Sequence, residues 1–214
     1  MTLPLRGLYL ITDDRRSGPD ALLAAVAAAL RGGARVVQYR DKGTDTARRL
    51  AEAQALAGLC RAHQVPLLIN DDVELAISVG ADGVHLGRDD ADLPSARARL
   101  PAGSLIGVSC YNRLELARDA ASRGADYIAF GSFFPSPTKP QAVRADPGLL
   151  RHARRELRLP TVAIGGISPE NGAALVRAGA DMLAVISAVF AAPDVTAAAQ
   201  AFARCFDPAE ETLP

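Results

Sequence analysis

Two stretches of the sequence place carboxylates directly after apolar segments that have the character of buried strands. Asn70 and Asp71 follow "VPLLI", and Asp90 follows "DGVHLGRD". Two carboxylates at the ends of neighbouring strands can share a hard cation such as Mg²⁺, which prefers oxygen ligands and keeps waters or phosphate oxygens around it. Asp71 and Asp90 are therefore the predicted ligands of a magnesium ion.

Each of these polar residues also has an ordinary structural interpretation. Asp72, and less readily Asp71, could cap the helix that follows. Arg88 could simply pair with a neighbouring aspartate at the surface. His85 lies inside a predicted strand and could be a packed core residue or a reactive one.

The elements that would position these residues alternate regularly along the chain. Strands are predicted at 8–12, 36–40, 67–70, 83–86, 105–109, 127–130, 161–164 and 182–186, and helices at 20–31, 44–63, 72–79, 92–100, 113–123, 147–158, 168–178 and 195–206. This order predicts an α/β protein with a compact (β/α)₈ TIM barrel as a single domain over residues 1–206, followed by a frayed tail, 207–214. An open doubly wound sheet is the alternative, but "ITDDRRSG" after the first strand lacks its glycine-rich dinucleotide loop.

A weak internal repeat supports the barrel. "GGARVVQYR", "VGADGVHLG", "RGADYIAFG" and "AGADMLAVI" each place Gly-Ala just before the second, fourth, sixth or eighth predicted strand. Glycine can take the left-handed conformation that ends the preceding helix. The repeat therefore has a period of two βα units.

Positive charge concentrates at the predicted carboxyl ends of the strands, where the active site of such a barrel lies. The chain has only two lysines, Lys42 and Lys139, and both fall there, together with Arg40. A metal ion with arginine and lysine stabilises the negative charge that builds on a departing diphosphate. We therefore predict that Arg40, Lys42 and Lys139 assist catalysis.

The loops after the seventh and eighth strands, "IGGIS" and "VISAV", offer a second anion site. Backbone N–H groups of such loops commonly hold a monophosphate. A glycine pair alone more often marks a turn. With the metal site opposite, the mouth of the barrel is predicted to bind two phosphorylated small molecules.

Composition excludes several other classes of function. Acidic and basic residues balance at 24 each, so no net positive field attracts nucleic acid or a membrane surface. The longest apolar run is too short to span a bilayer, no signal peptide is evident, and three scattered cysteines form neither a disulfide framework nor a zinc motif. We expect a cytoplasmic protein. The oligomeric state stays open, a homodimer included.

The ordered motifs resemble those of the thiamine-phosphate synthase family over nearly the whole chain. They are "QYRDK", "INDDVELA", "GADGVHLGRDD", "IGVSCYN", "DYIAFGSFFPSPTKP", "AIGGISPEN" and "AVISAVF". The resemblance implies a transferase that joins hydroxymethylpyrimidine diphosphate to a thiazole monophosphate, releasing pyrophosphate. It further implies a dissociative, magnesium-assisted reaction in which no protein nucleophile is needed.

The resemblance also assigns residues by position. For the pyrimidine diphosphate it implies contacts from Gln38, Tyr39, Arg40, Asp41, Lys42, Asn70, Ser109 and Lys139; for the thiazole phosphate, from Ser136, Pro137, Thr138, Gly166, Ile186 and Ser187; for magnesium, from Asp71 and Asp90. This chain has Arg88 where the family often has glutamine, and Ser136 where it often has threonine. The alternatives are the related thiazole tautomerase and a non-catalytic phosphate-ligand sensor on the same barrel.

Overall fold

The computed structural model describes residues 5–12, 18–87, 92–135 and 143–207. All eight predicted strands lie within these ranges. They are β1 (Gly7–Ile11), β2 (Ala34–Tyr39), β3 (Leu67–Asn70), β4 (Gly83–Leu86), β5 (Leu105–Tyr111), β6 (Tyr127–Gly131), β7 (Thr161–Ile164) and β8 (Met182–Val185). Each strand pairs in parallel with its neighbours in sequence, and β8 pairs with β1 to close the ring. The predicted (β/α)₈ barrel is confirmed.

Helices connect the strands and surround the barrel. In the described ranges they are α1 (Pro19–Arg31), α2 (Thr46–Ala62), α3 (Val73–Val79), α4 (Leu93–Arg99), α5 (Leu114–Ser122), α6 (Gly148–Glu156), α7 (Pro169–Ala178), α8 (Ser187–Phe190) and α9 (Val195–Ala203), with a 3₁₀ turn at Arg204–Phe206. No helix in those ranges is long and apolar enough to cross a membrane.

The sequence prediction missed α8 and placed the ends of several elements one or more residues too far. Residue 186 precedes the short helix α8 instead of ending β8, and the last predicted helix stops at residue 203 before the 3₁₀ turn. A helix of four residues makes too few turns to show a 3.6-residue period, so nothing in "SAVF" distinguishes it from strand. The predicted tail lies almost wholly outside the described residues.

Buried side chains form two clusters that correspond to the two faces of the barrel wall. Residues between the strands and helices form the larger cluster. The smaller one, here called the lumen cluster, fills the inside of the ring with Tyr9, Ile11, Val36, Leu68, Tyr127, Ala129, Val162, Met182 and Ala184. Because successive side chains of a strand point to opposite faces, alternate positions enter the lumen. The same alternation directs Gln38, His85 and Ser109 inward.

The Gly-Ala repeat acts at the amino end of the barrel. Its glycines, at positions 33, 80, 124 and 179, all have positive φ, as predicted. In three copies the next residue but one is an aspartate that accepts a hydrogen bond from the first or second N–H of the preceding strand. Asp82 accepts from Leu67 at 2.8 Å, Asp126 from Ile106 at 2.7 Å and Asp181 from Thr161 at 2.9 Å. These bonds give acceptors to backbone N–H groups at the start of the strands, which would otherwise lack a hydrogen-bond partner.

Removing one of these carboxylates should lower stability and leave catalysis intact. A hydrogen bond to a charged acceptor contributes about 1.5–3 kcal/mol. Asp181→Ala should therefore reduce the free energy of unfolding by about 2 kcal/mol, measured by urea denaturation followed by circular dichroism.

The first copy of the repeat supplies a matched control, because Arg35 occupies the position of the aspartates. Arg35→Ala removes an exposed side chain and should change stability by no more than about 0.5 kcal/mol. Equal losses for the two variants would show that the carboxylates do not support the strand ends.

Candidate functional site

A cleft of about 470 Å³ opens at the carboxyl end of the barrel, between the segments that follow β2 and β3. It is lined by Asp41, Lys42, Gly43, Arg49, Asn70, Asp71, Asp72, Val73, Glu74 and Arg99. The sequence predicted that polar residues of these two strand ends would meet. Lys42, Asn70 and Asp71 do lie together here.

Asp71 is the residue around which this cleft is organised. Its backbone has a φ of 63°, in the left-handed region, and its N–H donates to the carbonyl of His85 at 2.9 Å. The Asn70 amide donates to Asp71 Oδ2 at 2.5 Å, and the Lys42 ammonium pairs with the same oxygen. The carboxylate is thus held at the rim by β4 and faces the cationic side of the cleft.

Asp72 has the capping role that was considered for it. Its side chain accepts from the N–H of Leu75 and thereby caps α3, which begins at Val73; it also pairs with Arg49 at 2.9 Å. Asp71 does not take that part. The two adjacent aspartates therefore have different roles: Asp72 stabilises α3 and Asp71 faces the cleft.

Tyr39 and Asp41 turn their side chains toward α2. The Tyr39 hydroxyl donates to Glu52 at 2.6 Å, and Arg48 pairs with both Asp41 at 2.5 Å and Glu52 at 3.2 Å. Burial and the Glu52 carboxylate raise the pKa of Tyr39. These side chains anchor the end of β2 to α2. Any contact of Tyr39 or Asp41 with a ligand would therefore come from their backbone groups.

Arg40, between them, extends from the end of β2 and is partly buried. Its backbone N–H donates to Thr12 Oγ1 at 2.8 Å, and the Thr12 hydroxyl donates back to the Arg40 carbonyl at 3.1 Å. This exchange fixes the rim of β2 against the end of β1. The position from which the Arg40 side chain starts is therefore well defined.

Inside the lumen, hydrogen bonds join Gln38 to Ser109 through three other side chains. Gln38 Nε2 donates to the Tyr9 hydroxyl at 2.8 Å, and that hydroxyl lies 2.8 Å from the Tyr127 hydroxyl. His85 Nδ1 lies 2.9 Å from Tyr127, and His85 Nε2 lies 2.9 Å from Ser109 Oγ. Gln38 on β2 and Ser109 on β5, both predicted to contact the pyrimidine, are thus linked across the barrel.

The members of this chain are held in their neutral forms. Burial lowers the pKa of His85 to about 4, and the charge of Asp71 opposes that shift only in part. Burial likewise raises the pKa values of Tyr9 and Tyr127 well above the ordinary tyrosine value. His85 is therefore an uncharged hydrogen-bonding group at neutral pH, packed within the lumen.

Sequence reasoning missed Tyr9, Tyr127 and Arg49. The tyrosines could have been noticed, since "LYLIT" and "DYIAF" each place one near the start of a strand on the inward alternation. Arg49 gave no such signal, because an arginine on a helix normally faces solvent. Here its Nε is buried and has no hydrogen-bond partner among the described residues, although the side chain lines the cleft.

The loops after β7 and β8 have the predicted glycine-rich and helix-starting forms. Gly165 and Gly166 have φ values of 102° and 61°. A Cβ on Gly166 would lie 2.2 Å from the carbonyl oxygen of Pro135, so this glycine permits close packing against the segment after β6. Ser187 begins α8 directly after Ile186, and the first N–H groups of a helix have no acceptor within it.

Several predicted residues lie outside the described part of the chain. They are Asp90, Ser136, Pro137, Thr138 and Lys139, and Arg88 as well. Their contribution to the site stays a prediction from the sequence. Within the described part, no group of three or more His, Cys, Asp or Glu residues forms a metal centre.

Comparison with known proteins identifies the family. The family model described as thiamine monophosphate synthase matches residues 8–189. Proteins named thiamine-phosphate synthase from Thiobacillus denitrificans and Thioalkalivibrio sulfidiphilus are 57% and 52% identical, covering 94% and 95% of this chain and 94% and 96% of their own.

Solved structures show the same relationship. A thiamine phosphate pyrophosphorylase from Pyrococcus furiosus superposes with a TM-score of 0.84 at 34% identity, covering 94% of this chain and 96% of its own. A 3-hexulose-6-phosphate synthase at 18% identity and a TM-score of 0.69 shares the fold alone. With a family model matched over most of its length and relatives more than half identical, the chain belongs to the thiamine monophosphate synthase family.

Proposed function

We propose that the cleft and the lumen beneath it form one active site for the synthesis of thiamine phosphate from a pyrimidine diphosphate and a thiazole monophosphate. Membership of the family supports this condensation, which makes the protein a transferase. The observation that carries the site assignment is the meeting of Lys42, Asn70 and Asp71 at the rim. There a polar lumen adjoins a charged cleft, as a ligand with a ring and a diphosphate requires.

The lumen suits the pyrimidine ring. Gln38 and Ser109 lie on β2 and β5 and face each other through the hydrogen-bonded side chains between them. A small number of fixed polar groups among apolar walls gives a pocket its orientation and specificity. The pyrimidine ring would therefore lie at the mouth of the barrel, above these side chains, with its diphosphate in the rim cleft.

The cleft suits the diphosphate. Lys42 and Arg49 supply positive charge along its wall, and Arg40 starts from the neighbouring rim position. The buried Nε of Arg49 is a donor in need of an acceptor, which a phosphate oxygen would provide. Lys139 would add a further charge from the segment after β6.

The donor chemistry of the rim fits a magnesium ion. Asp71 presents a partly exposed carboxylate beside the amide of Asn70, and oxygen donors are those that Mg²⁺ prefers. Asp71 and Asp90 would hold the ion. When bound, it would neutralise charge on the departing diphosphate.

Covalent catalysis by the protein is poorly supported by this site. Ser109 and His85 are at hydrogen-bonding distance, but a histidine whose pKa is lowered to about 4 is a weak base for activating a serine at neutral pH. Burial raises the pKa of the Cys110 thiol to about 12, so its thiolate is scarce. A dissociative reaction, in which the diphosphate leaves before the thiazole attacks, needs neither group.

The thiazole phosphate would lie on the other side of the mouth. Backbone N–H groups at Gly166, Ile186 and Ser187 would hold it, with Ser136, Pro137 and Thr138 completing the subsite. The positive φ values of Gly165 and Gly166 and the start of α8 after Ile186 support this arrangement. Each substrate would then have its own set of loops.

One assay tests the activity directly. Purified protein, both substrates and Mg²⁺ should yield thiamine phosphate and pyrophosphate in equal amounts, quantified by chromatography. EDTA should abolish the reaction and excess Mg²⁺ should restore it. Conversion between thiazole isomers without condensation would support the tautomerase instead, and thermal stabilisation by substrates without turnover would support the sensor.

Adjacent aspartates provide a matched pair for the metal site. Asparagine tolerates the left-handed backbone of residue 71, so Asp71→Asn removes a charge without straining the rim. The kcat of Asp71→Asn should fall by about 100-fold or more, which corresponds to about 3 kcal/mol.

Asp72→Asn should retain most of the kcat, because asparagine caps a helix as well as aspartate does. Steady-state kinetics at saturating Mg²⁺ measure both variants. If both lost activity equally, the division of roles between residues 71 and 72 would be wrong.

Lys139 should act mainly in the transition state, as charge develops on the leaving group. Lys139→Ala is then expected to reduce kcat by about 100-fold while raising the KM for the pyrimidine diphosphate by less than about threefold. Lys139→Arg should restore only part of the rate, because a planar guanidinium does not replace a compact ammonium. A variant with normal kcat and a raised KM would make Lys139 a docking charge.

A further inference from the structure

We propose that Glu52, on α2, is a positioning residue that directs the Lys42 ammonium toward the rim of the cleft. It acts through two intervening side chains, those of Arg48 and Asp41. Glu52 is not among the described residues that line the cleft, so it would influence a ligand only indirectly. The consequence for catalysis rests on the proposed function, in which Lys42 meets the diphosphate.

Glu52 is a buried carboxylate, which is uncommon on a helix that surrounds a barrel. It is 4% exposed, and within the described ranges no other acidic residue is buried. A buried charge is costly unless it is paired and hydrogen-bonded. The Tyr39 hydroxyl donates to Glu52 at 2.6 Å, and Arg48 Nη1 lies 3.2 and 3.3 Å from its two oxygens. Glu52 thereby joins the end of β2 to the first turn of α2.

Arg48 connects Glu52 to the segment between β2 and α2. Its guanidinium is planar, so its nitrogens keep fixed relative positions. Nη1 donates to Glu52, and Nη2 pairs with Asp41 at 2.5 Å. A partly exposed arginine with a single partner would keep much of its freedom. Because Glu52 holds one side of the guanidinium, the other side presents a fixed donor to Asp41.

Asp41 shapes the turn at which Lys42 lies. Its Oδ2 accepts from Arg48, and its Oδ1 accepts from the backbone N–H of Gly43 at 2.6 Å. A side-chain acceptor two residues before the donor makes an Asx turn. The turn is tight, since a Cβ on Gly43 would lie 2.8 Å from Asp41 Oδ1. Lys42 is the central residue of this turn, so the Asp41 carboxylate sets the direction in which the Lys42 side chain leaves the backbone.

This direction matters because Lys42 has few other constraints. Residues 40–45 form neither helix nor strand, so no backbone ladder fixes the turn. The Lys42 side chain is 55% exposed, and its ammonium pairs with Asp71 at the rim. An exposed ion pair is too weak to order a long side chain by itself, and catalysis by a charged group depends closely on its position. Glu52 is therefore the buried point from which the place of Lys42 is determined.

The helix itself has supports besides Glu52. The Asp45 side chain caps α2 by accepting from the Arg48 N–H at 3.0 Å. Its buried apolar residues are Ala53, Leu56, Ala57 and Cys60. Replacing the Glu52 carboxylate should therefore leave α2 in place and loosen the turn.

Lysine-selective NMR tests the positioning without substrate. Lys42 and Lys139 are the only lysines, so protein labelled with ¹³C-lysine gives two ε-methylene signals, which a Lys42→Ala variant assigns. Glu52→Gln removes the charge that holds Arg48 but keeps the size of the side chain. In this variant the Lys42 signal should move toward the position of free lysine, with Lys139 as the internal reference. An unchanged Lys42 signal would overturn the proposal.

A double-mutant cycle tests the consequence for catalysis. Glu52→Gln should lower kcat/KM for the pyrimidine diphosphate by about tenfold, a coupling of the size found within one hydrogen-bonded network. In a Lys42→Ala background, the same substitution should change kcat/KM by less than about twofold, because its route to the ligand is gone. An equal loss in both backgrounds would show that Glu52 acts independently of Lys42, contrary to the proposal.

Asp181→Ala is the matched control, since it removes a carboxylate that supports a strand at the other end of the barrel. It should lower stability while leaving kcat/KM and the Lys42 signal unchanged. If kcat/KM fell as far in Asp181→Ala as in Glu52→Gln, lowered stability would explain the loss and the positioning role would be wrong.

Arg48→Gln interrupts the same connection at a partly exposed position and serves if Glu52→Gln does not fold. It should reproduce the shift of the Lys42 signal and the dependence on Lys42 in the cycle; a normal Lys42 signal here would also overturn the proposal. If no thiamine phosphate formed while the Lys42 signal moved as expected, the proposed function would fail and the positioning of Lys42 by Glu52 would stand.

Discussion

The hydrogen bonds that close β8 onto β1 determine where everything else in this protein can lie. A closed ring of parallel strands brings all eight carboxyl ends to one rim, while side chains at alternate positions must share a narrow lumen. Residues far apart in sequence, such as Lys42 and Asp71, are neighbours for that reason alone. The charged cleft and the polar lumen are two consequences of the same closure.

The lumen departs from the usual apolar filling of such barrels. Five polar side chains cross it, and their hydrogen bonds satisfy one another so completely that burial carries little penalty. Burial in turn keeps His85 and the tyrosines uncharged. At the carboxyl end of the barrel, the charged side chains therefore lie at the rim, where water and ions have access. The lumen offers neutral hydrogen-bonding groups.

The sequence was sufficient for the barrel and for the rim. Regular alternation of strands and helices, with Gly-Ala before every second strand, specified the architecture, and the abrupt change from "VPLLI" to Asn70 and Asp71 located the rim. The lumen chain was not visible, because a tyrosine in a strand has the same pattern whether its hydroxyl is paired or not. Nor could the sequence show that the Tyr39 side chain points to α2 while that of Gln38 points into the lumen. That depends on which face of the sheet becomes the inside of the barrel.

The aspartates at the amino end have a consequence for how the ring is tied together. They support β3, β5 and β7. The equivalent position for β1 is Arg35. The strand that pairs with β8 to close the ring therefore lacks a carboxylate of this kind. There α9 packs on β1 and α1, with the Thr196 hydroxyl donating to the Ala28 carbonyl at 3.1 Å. The helix α9 therefore covers the strand at which the ring closes, in the place where the repeat supplies no aspartate.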